Sequence, residues 1–158
     1  YGCEALVMPE PYILEDSAVV PGTDGQKMSK SYDNTIRMFA PKKEVKKSVM
    51  GIVTDSSPVE EPKDPGAPVF QIWNLFADAD ERASMSEKAR AGGLGYGDIK
   101  KDILERVLDH FSEMRTRREH FESRPDEVEA ILQRGAEKAR AIAAPVLDRC
   151  RAAAGLGA

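Results

Sequence analysis

The segment GTDGQKMSKSYDN, residues 22–34, gathers two lysines, two serines and a methionine behind a glycine-spaced turn. Lysine carries a compact, mobile positive charge, and Gly22 and Gly25 permit backbone angles that other residues avoid. The hydroxyls of Ser29 and Ser31, together with backbone amides, add hydrogen-bond donors. The apolar content is too low for a buried strand. Such a loop suits an anion whose charge moves during a reaction. Two occupants fit these residues: a phosphate chain, or water around a solvated lysine loop.

The elements that would carry this loop belong to a globular chain. Of its 158 residues, 41% are hydrophobic and 32% charged, which is the balance of a folded domain rather than a disordered tail. Net charge is −4 despite 23 basic residues, so any nucleic-acid contact has to come from a local basic patch. Cys3 and Cys150 lack metal-ligand spacing and read as reduced thiols of a cytosolic protein or as packing residues. No apolar run approaches the roughly 20 residues of a membrane helix. The chain opens at Tyr1 on residues that resemble the inside of a domain, so it reads as part of a longer protein.

Short apolar runs broken by Pro and acidic residues predict two strands, near Ala5–Met8 and Ala18–Val20. Asn34 reads as an N-cap before TIRMF, and Pro41 opens a short helix over PKKEVKKSVM. Residues 55–68 hold four prolines and read as a loop that would pass for a domain linker. From there the pattern is helical. Val69, Ile72, Trp73 and Phe76 share a face, and a second segment runs from Ala79 to Arg90. GGLGYG breaks the chain as a turn between helices, lacking the strand and spacing of a dinucleotide fingerprint. Asp98 then caps a long helix with the stripe Ile99, Ile103, Val107, Phe111 and Met114. Ser123 with Asp126 resembles a capping box for a second long helix, striped by Val128, Ile131, Leu132, Ile142 and Val146. Pro145 should kink that helix, and Gly155 should stop it. The expected fold is mainly α, two long antiparallel helices bracing shorter ones in a bundle.

GTDGQKMSKSYDNTI resembles the second signature loop of the class I aminoacyl-tRNA synthetases. GIVTDS at 51–56, GYGDIKKDI at 95–103, RGAEKARAIA at 134–143 and the closing AAAGLG are similar to the C-terminal half of bacterial tryptophanyl-tRNA synthetases. Tyrosyl enzymes share the loop but usually carry a different C-terminal appendage. The resemblance implies an ATP-dependent tryptophan–tRNA ligase in a cytoplasmic, homodimeric form, with Mg²⁺ on the ATP phosphates and tryptophan and its tRNA as partners. It implies that residues 1–41 end a Rossmann-type catalytic domain and that residues 42–158 form a helical anticodon-binding domain. Lys27, Met28, Ser29, Lys30 and Ser31 match the loop that closes over ATP, with Lys30 on the departing pyrophosphate and Lys27 beside it. Ala18 and Val19 would meet the adenine through their backbone. Arg115, Arg117, Arg118 and Arg124 are the candidates for tRNA phosphates, although the first three interleave with Glu113, Glu119 and Glu122. No residues are assigned to a metal, and two cysteines cannot ligate the iron–sulfur cluster that some relatives carry. The HIGH-like first signature and the tryptophan pocket are not in this sequence, so this stretch alone is expected to be inactive. A helical RNA-binding module without catalysis is the competing reading, and it has no need of a phosphate-closing loop.

Overall fold

The computed structural model describes residues 5–13 and 19–156. Six helices follow one another: α1 Lys42–Met50, α2 Pro68–Asn74, α3 Ala79–Ala91, α4 Tyr96–His110, α5 Ser112–Glu122 and α6 Pro125–Ala153. Among the described residues no strand forms, and the backbone pairing is one isolated antiparallel bridge between Pro21 and Lys27. The strand expected at Ala5–Met8 is therefore absent. Leu6, Val7 and Met8 are 69%, 91% and 86% exposed, with no neighbouring strand among the described residues to accept their backbone groups. Of the strand expected at Ala18–Val20, Ala18 lies outside the described residues, and Val19 and Val20 are irregular.

The chain divides into two compact units, Ile13–Arg115, and Tyr1–Tyr12 with Thr116–Ala158. In the first, α1, α2 and α4 supply most of the core. Val45 and Val49 of α1 lie one turn apart, as do Ile99, Ile103 and Val107 along α4, and all five are buried. Val69, Phe70, Ile72 and Trp73 of α2 join them, with Ile52, Ala77 and Ala89 at the margins of the helices. Phe70 was not part of the expected stripe, yet it is only 1% exposed. Each fully buried side chain of this size contributes about 1.5–3 kcal/mol. Trp73 keeps its one polar atom satisfied, because its indole N–H donates to Asp102 Oδ2 at 2.6 Å.

The helix ends show where local chemistry prevailed and where it did not. Pro68 sits at the first position of α2, as its missing N–H favours. Asp78 and Glu81 form a reciprocal capping box on α3, with Glu81 N–H donating to Asp78 at 2.8 Å and Asp78 N–H to Glu81 at 3.0 Å. Two expected caps are corrected. The N-cap of α4 is Gly95, which places Asp98 inside the first turn. The N-cap of α6 is Arg124, and Ser123 Oγ donates instead to the carbonyl of His120 at 2.7 Å. The expected long helix through Met114 is also interrupted. Phe111 ends α4, with its ring packed edge-on against Phe39 and Phe76. Met114 is left 45% exposed.

The α6 stripe is present, but none of its residues is buried, and Ile142 is 76% exposed. Of the two long helices expected to brace a bundle, α4 thus enters the core and α6 buries no residue. Helical periodicity identifies an apolar face without saying what covers it. Pro145 does lie within α6, and Gly155 ends it as expected. There Leu156 N–H reaches Arg151 and Gly155 N–H reaches Ala152, the paired bonds of a Schellman cap.

Residues 55–68 are a loop, but not a free linker. Lys63 is 3% exposed, and its ammonium donates to the carbonyls of Ser57, Pro58 and Glu61 while facing the Tyr96 ring. Lys63 N–H donates to Ala89 of α3 at 2.7 Å, and Tyr96 Oη donates to Asp55 at 2.8 Å. These bonds fasten the loop to α3 and α4.

Arg106 ties α4 to α3. It donates to Glu81 at 2.6 Å, to Asp102 at 3.3 Å and to the Phe76 carbonyl at 3.0 Å, and it stacks over Trp73 at 4.7 Å. The hydrogen bond from Arg106 holds the Glu81 carboxyl below its ordinary range. A carboxyl lowered in the folded state contributes stability that is complete above its unfolded pKa, about 4.3 for Glu. That contribution is lost as the pH falls through the lower folded value. The melting temperature should therefore fall with acidification below about pH 4.3. Arg106→Met should make this fall shallower, read by thermal melts across the acid range.

Candidate phosphate-binding loop

The loop at residues 20–34 is closed by backbone bonds across the Pro21–Lys27 bridge. Met28 N–H donates to Val20 at 2.8 Å and Gly22 N–H to Gln26 at 2.6 Å. Gly25 sits at φ 82°, in the left-handed region where the absence of a Cβ is needed. Residues Lys30–Tyr32 then form one 3-10 turn. Ser29 caps it by accepting from Ser31 N–H at 3.2 Å. The turn ends on Asp33, at φ 52°.

Asn34 organises this loop rather than capping a helix, which corrects its expected role. TIRMF after it forms no helix. The residue is 2% exposed. Its Oδ1 accepts from Ser29 N–H at 2.7 Å, and its Nδ2 donates to Asp24 Oδ1 at 2.8 Å and to the Lys27 carbonyl at 3.1 Å. Its own carbonyl accepts from Thr23 N–H at 2.9 Å. Gly22 lies so close that a Cβ there would meet Asn34 Cγ and Nδ2 at 2.3 Å. Close approach, rather than freedom to bend, is therefore what Gly22 supplies in this conformation. The bond from Asn34 is the main cause that lowers the Asp24 carboxyl below its ordinary range. Asp24 is thus an anion at neutral pH and can only accept from Asn34.

Lys27 and Lys30 are both exposed, as are Val19 and Ser31, while Met28 and Ser29 are half-buried. The loop thus presents two ammonium groups from a backbone fixed underneath them. A cleft of about 570 Å³ lies beside the loop, lined among others by Thr23, Asp33, Arg37, Lys47 and Ser48. Neither loop lysine lines it. Among the described residues no cluster of three acidic, His or Cys side chains could hold a metal.

The candidate tRNA-binding arginines have the following surroundings, each taken by itself. Arg118 donates to Glu122 at 2.7 Å, and Arg124 lies 4.0 Å from Glu127. Arg117 lines a shallow hollow with Thr116, His120 and Phe121. Arg115 is half-buried, with Nε and Nη2 shielded from solvent.

Comparison with known proteins decides the family. The model of class I tRNA synthetases (W and Y) matches residues 3–138. The chain belongs to this family. It is 48% identical over 156 residues to a tryptophan–tRNA ligase of Fusobacterium nucleatum, covering 99% of this chain and 48% of that protein. It is 49% identical over 154 residues to one from Rhodopirellula baltica, covering 97% of this chain and 48% of that protein. Among solved structures, the tryptophanyl-tRNA synthetase of Campylobacter jejuni, complexed with ADP and tryptophan, superposes with a TM-score of 0.80 at 40% identity. That match covers 97% of this chain and 48% of the other. This family member therefore spans about half the length of the relatives it matches. The sequence missed Asn34 and Asp24 as parts of the site. The one sequence signal for them is their position inside the lysine-rich loop itself.

Proposed function

We propose that the chain is the C-terminal half of a cytoplasmic tryptophan–tRNA ligase, with its loop at 22–34 acting on the phosphates of ATP. The observation that carries this reading is the fixed backbone beneath two exposed lysines, in a chain nearly half identical to tryptophan–tRNA ligases. ATP and tryptophan are the substrates of activation, Mg²⁺ travels on the ATP phosphates, and the aminoacyl group passes to the tRNA. Residues 1–41 finish the catalytic domain, and residues 42–158 serve the anticodon arm. The complete enzyme works as a homodimer.

The chemistry required of the loop is electrostatic. As the bond to the leaving pyrophosphate breaks, negative charge grows on its oxygens, and an ammonium aimed there lowers the barrier. Lys30 carries that role, with Lys27 beside it. Ser29, Ser31 and the backbone of Met28 add donors, and the backbone of Ala18 and Val19 is assigned to the adenine. Tryptophan-dependent ATP–pyrophosphate exchange by the complete enzyme tests the reading. Exchange driven by tyrosine instead would assign the chain to the other branch of the family.

Contact with tRNA falls to the exposed arginines of the helical half, Arg117, Arg118 and Arg124, with half-buried Arg115 contributing less. Pairing with glutamates does not forbid this, since exposed ion pairs are worth little and exchange readily. Replacing the three exposed arginines by Gln should weaken tRNA binding and flatten its salt dependence by about 0.7–0.9 per lost phosphate contact. Exchange in the absence of tRNA should be nearly unchanged. Unchanged tRNA affinity and salt slope would move the contact surface elsewhere.

A further inference from the structure

We propose that Asn34 is a positioning residue for catalysis, a buried latch that fixes where Lys27 and Lys30 leave the backbone. This rests on the loop's proposed action on ATP phosphates. The lysine side chains are long and exposed, so their reach is useful only if the backbone beneath them is held. Asn34 supplies that hold from one point. Its side chain binds the loop at Asp24, Lys27 and Ser29, and its carbonyl binds it at Thr23. These attachments lie on both sides of the left-handed turn at Gly25.

The partners dictate the residue type. Ser29 offers an N–H and needs an acceptor, while the Lys27 carbonyl and the ionised Asp24 both need a donor. A primary amide on a short stem meets all three at once. Aspartate would keep the bond to Ser29, lose both donors and set a second anion against Asp24. Alanine would leave Ser29 N–H and the Lys27 carbonyl without these partners. Gly22 is part of the same device, because any side chain there would occupy the space of the Asn34 amide.

The test uses the complete enzyme, with exchange kinetics and thermal melting on every variant. Asn34→Asp should lower kcat on the order of a hundredfold, the cost of misplacing a catalytic group by about an ångström. The KM for tryptophan should hold, because the latch does not touch the amino acid. Restoring an amide opposite the acid, in the double variant Asp24→Asn with Asn34→Asp, should recover kcat at least tenfold over the single variant, about one charged hydrogen bond. A residue that merely stabilised the fold would move the melting temperature without this split between kcat and KM. Should Asn34→Asp fail to fold, Asp24→Ala at its exposed position serves as the second variant, with an expected kcat loss of roughly tenfold. The latch is overturned if Asn34→Asp stays within about threefold of wild type. It is equally overturned if the double variant is no faster than the single one, or if Asp24→Ala loses nothing. Lys30→Ala separates the two claims. If that variant too is fully active, the phosphate-loop reading itself fails; if it is impaired while the Asn34 variants are not, only the latch fails.

Discussion

Lys30→Ala in the complete enzyme should cut the rate of tryptophanyl-adenylate formation by on the order of 10²–10³, about 3–4 kcal/mol of transition-state stabilisation. Lys30 opens the 3-10 turn directly after the Ser29 amide that Asn34 holds, so its backbone origin is fixed while its side chain is exposed. The proposed interaction would strengthen only as pyrophosphate departs, so kcat should fall and the KM for tryptophan should barely move. Pre-steady-state adenylate formation measures this directly. An unchanged rate constant would remove Lys30 from the reaction.

Phe70→Ala should destabilise the Ile13–Arg115 unit by about 3–5 kcal/mol, a loss that combines transfer energy with an unfilled cavity. Phe70 is 1% exposed in the core formed by α1, α2 and α4, and its ring lies 6.5 Å from that of Tyr96. Tyr96 in turn binds Asp55 and faces Lys63. The damage should therefore spread to the docked loop at 55–68. Chemical denaturation should show a lower midpoint, and amide exchange should show weakened protection at Lys63. A loss below about 1 kcal/mol would mean that α2 contributes little to the core.

Much of the helical architecture was legible because its causes are local. Ile99, Ile103 and Val107 repeat at the spacing of one helix turn, and the structure buries all three. Gly155 stops α6 through bonds that need only the neighbouring turn. What escaped the sequence depends on distant partners. Lys63 looks like any charged loop residue until three carbonyls and the Tyr96 ring surround it. Phe111 and Met114 continue a helical stripe on paper, yet the packing of Phe111 on Phe39 and Phe76 accompanies the end of α4. The stripe of α6 was equally plain, but its period carried no information about burial.

The site divides in the same way. Residue type and spacing pointed to Lys27, Ser29, Lys30 and Ser31, since cations and hydroxyls behind glycines are uncommon without an anion to bind. Asn34 was read as a helix cap, the commonest local use of an asparagine before an apolar run. Its actual partners are five, seven and ten residues away, brought close by the turn at Gly25. Local propensity cannot register a side chain that closes a loop across that distance.

The central claim is that this chain supplies the loop with which a tryptophan–tRNA ligase acts on ATP. It is tested most directly by putting residues 3–138 in place of the matching segment of the Fusobacterium nucleatum ligase, 48% identical across this chain. Tryptophan-dependent ATP–pyrophosphate exchange is then measured on the folded chimera, with and without Lys30→Ala. The account predicts exchange well above background in the chimera and its collapse by on the order of 10²–10³ in the Lys30→Ala form. A chimera that folds with native melting behaviour yet shows no tryptophan-dependent exchange, or one whose exchange is indifferent to Lys30, would contradict it.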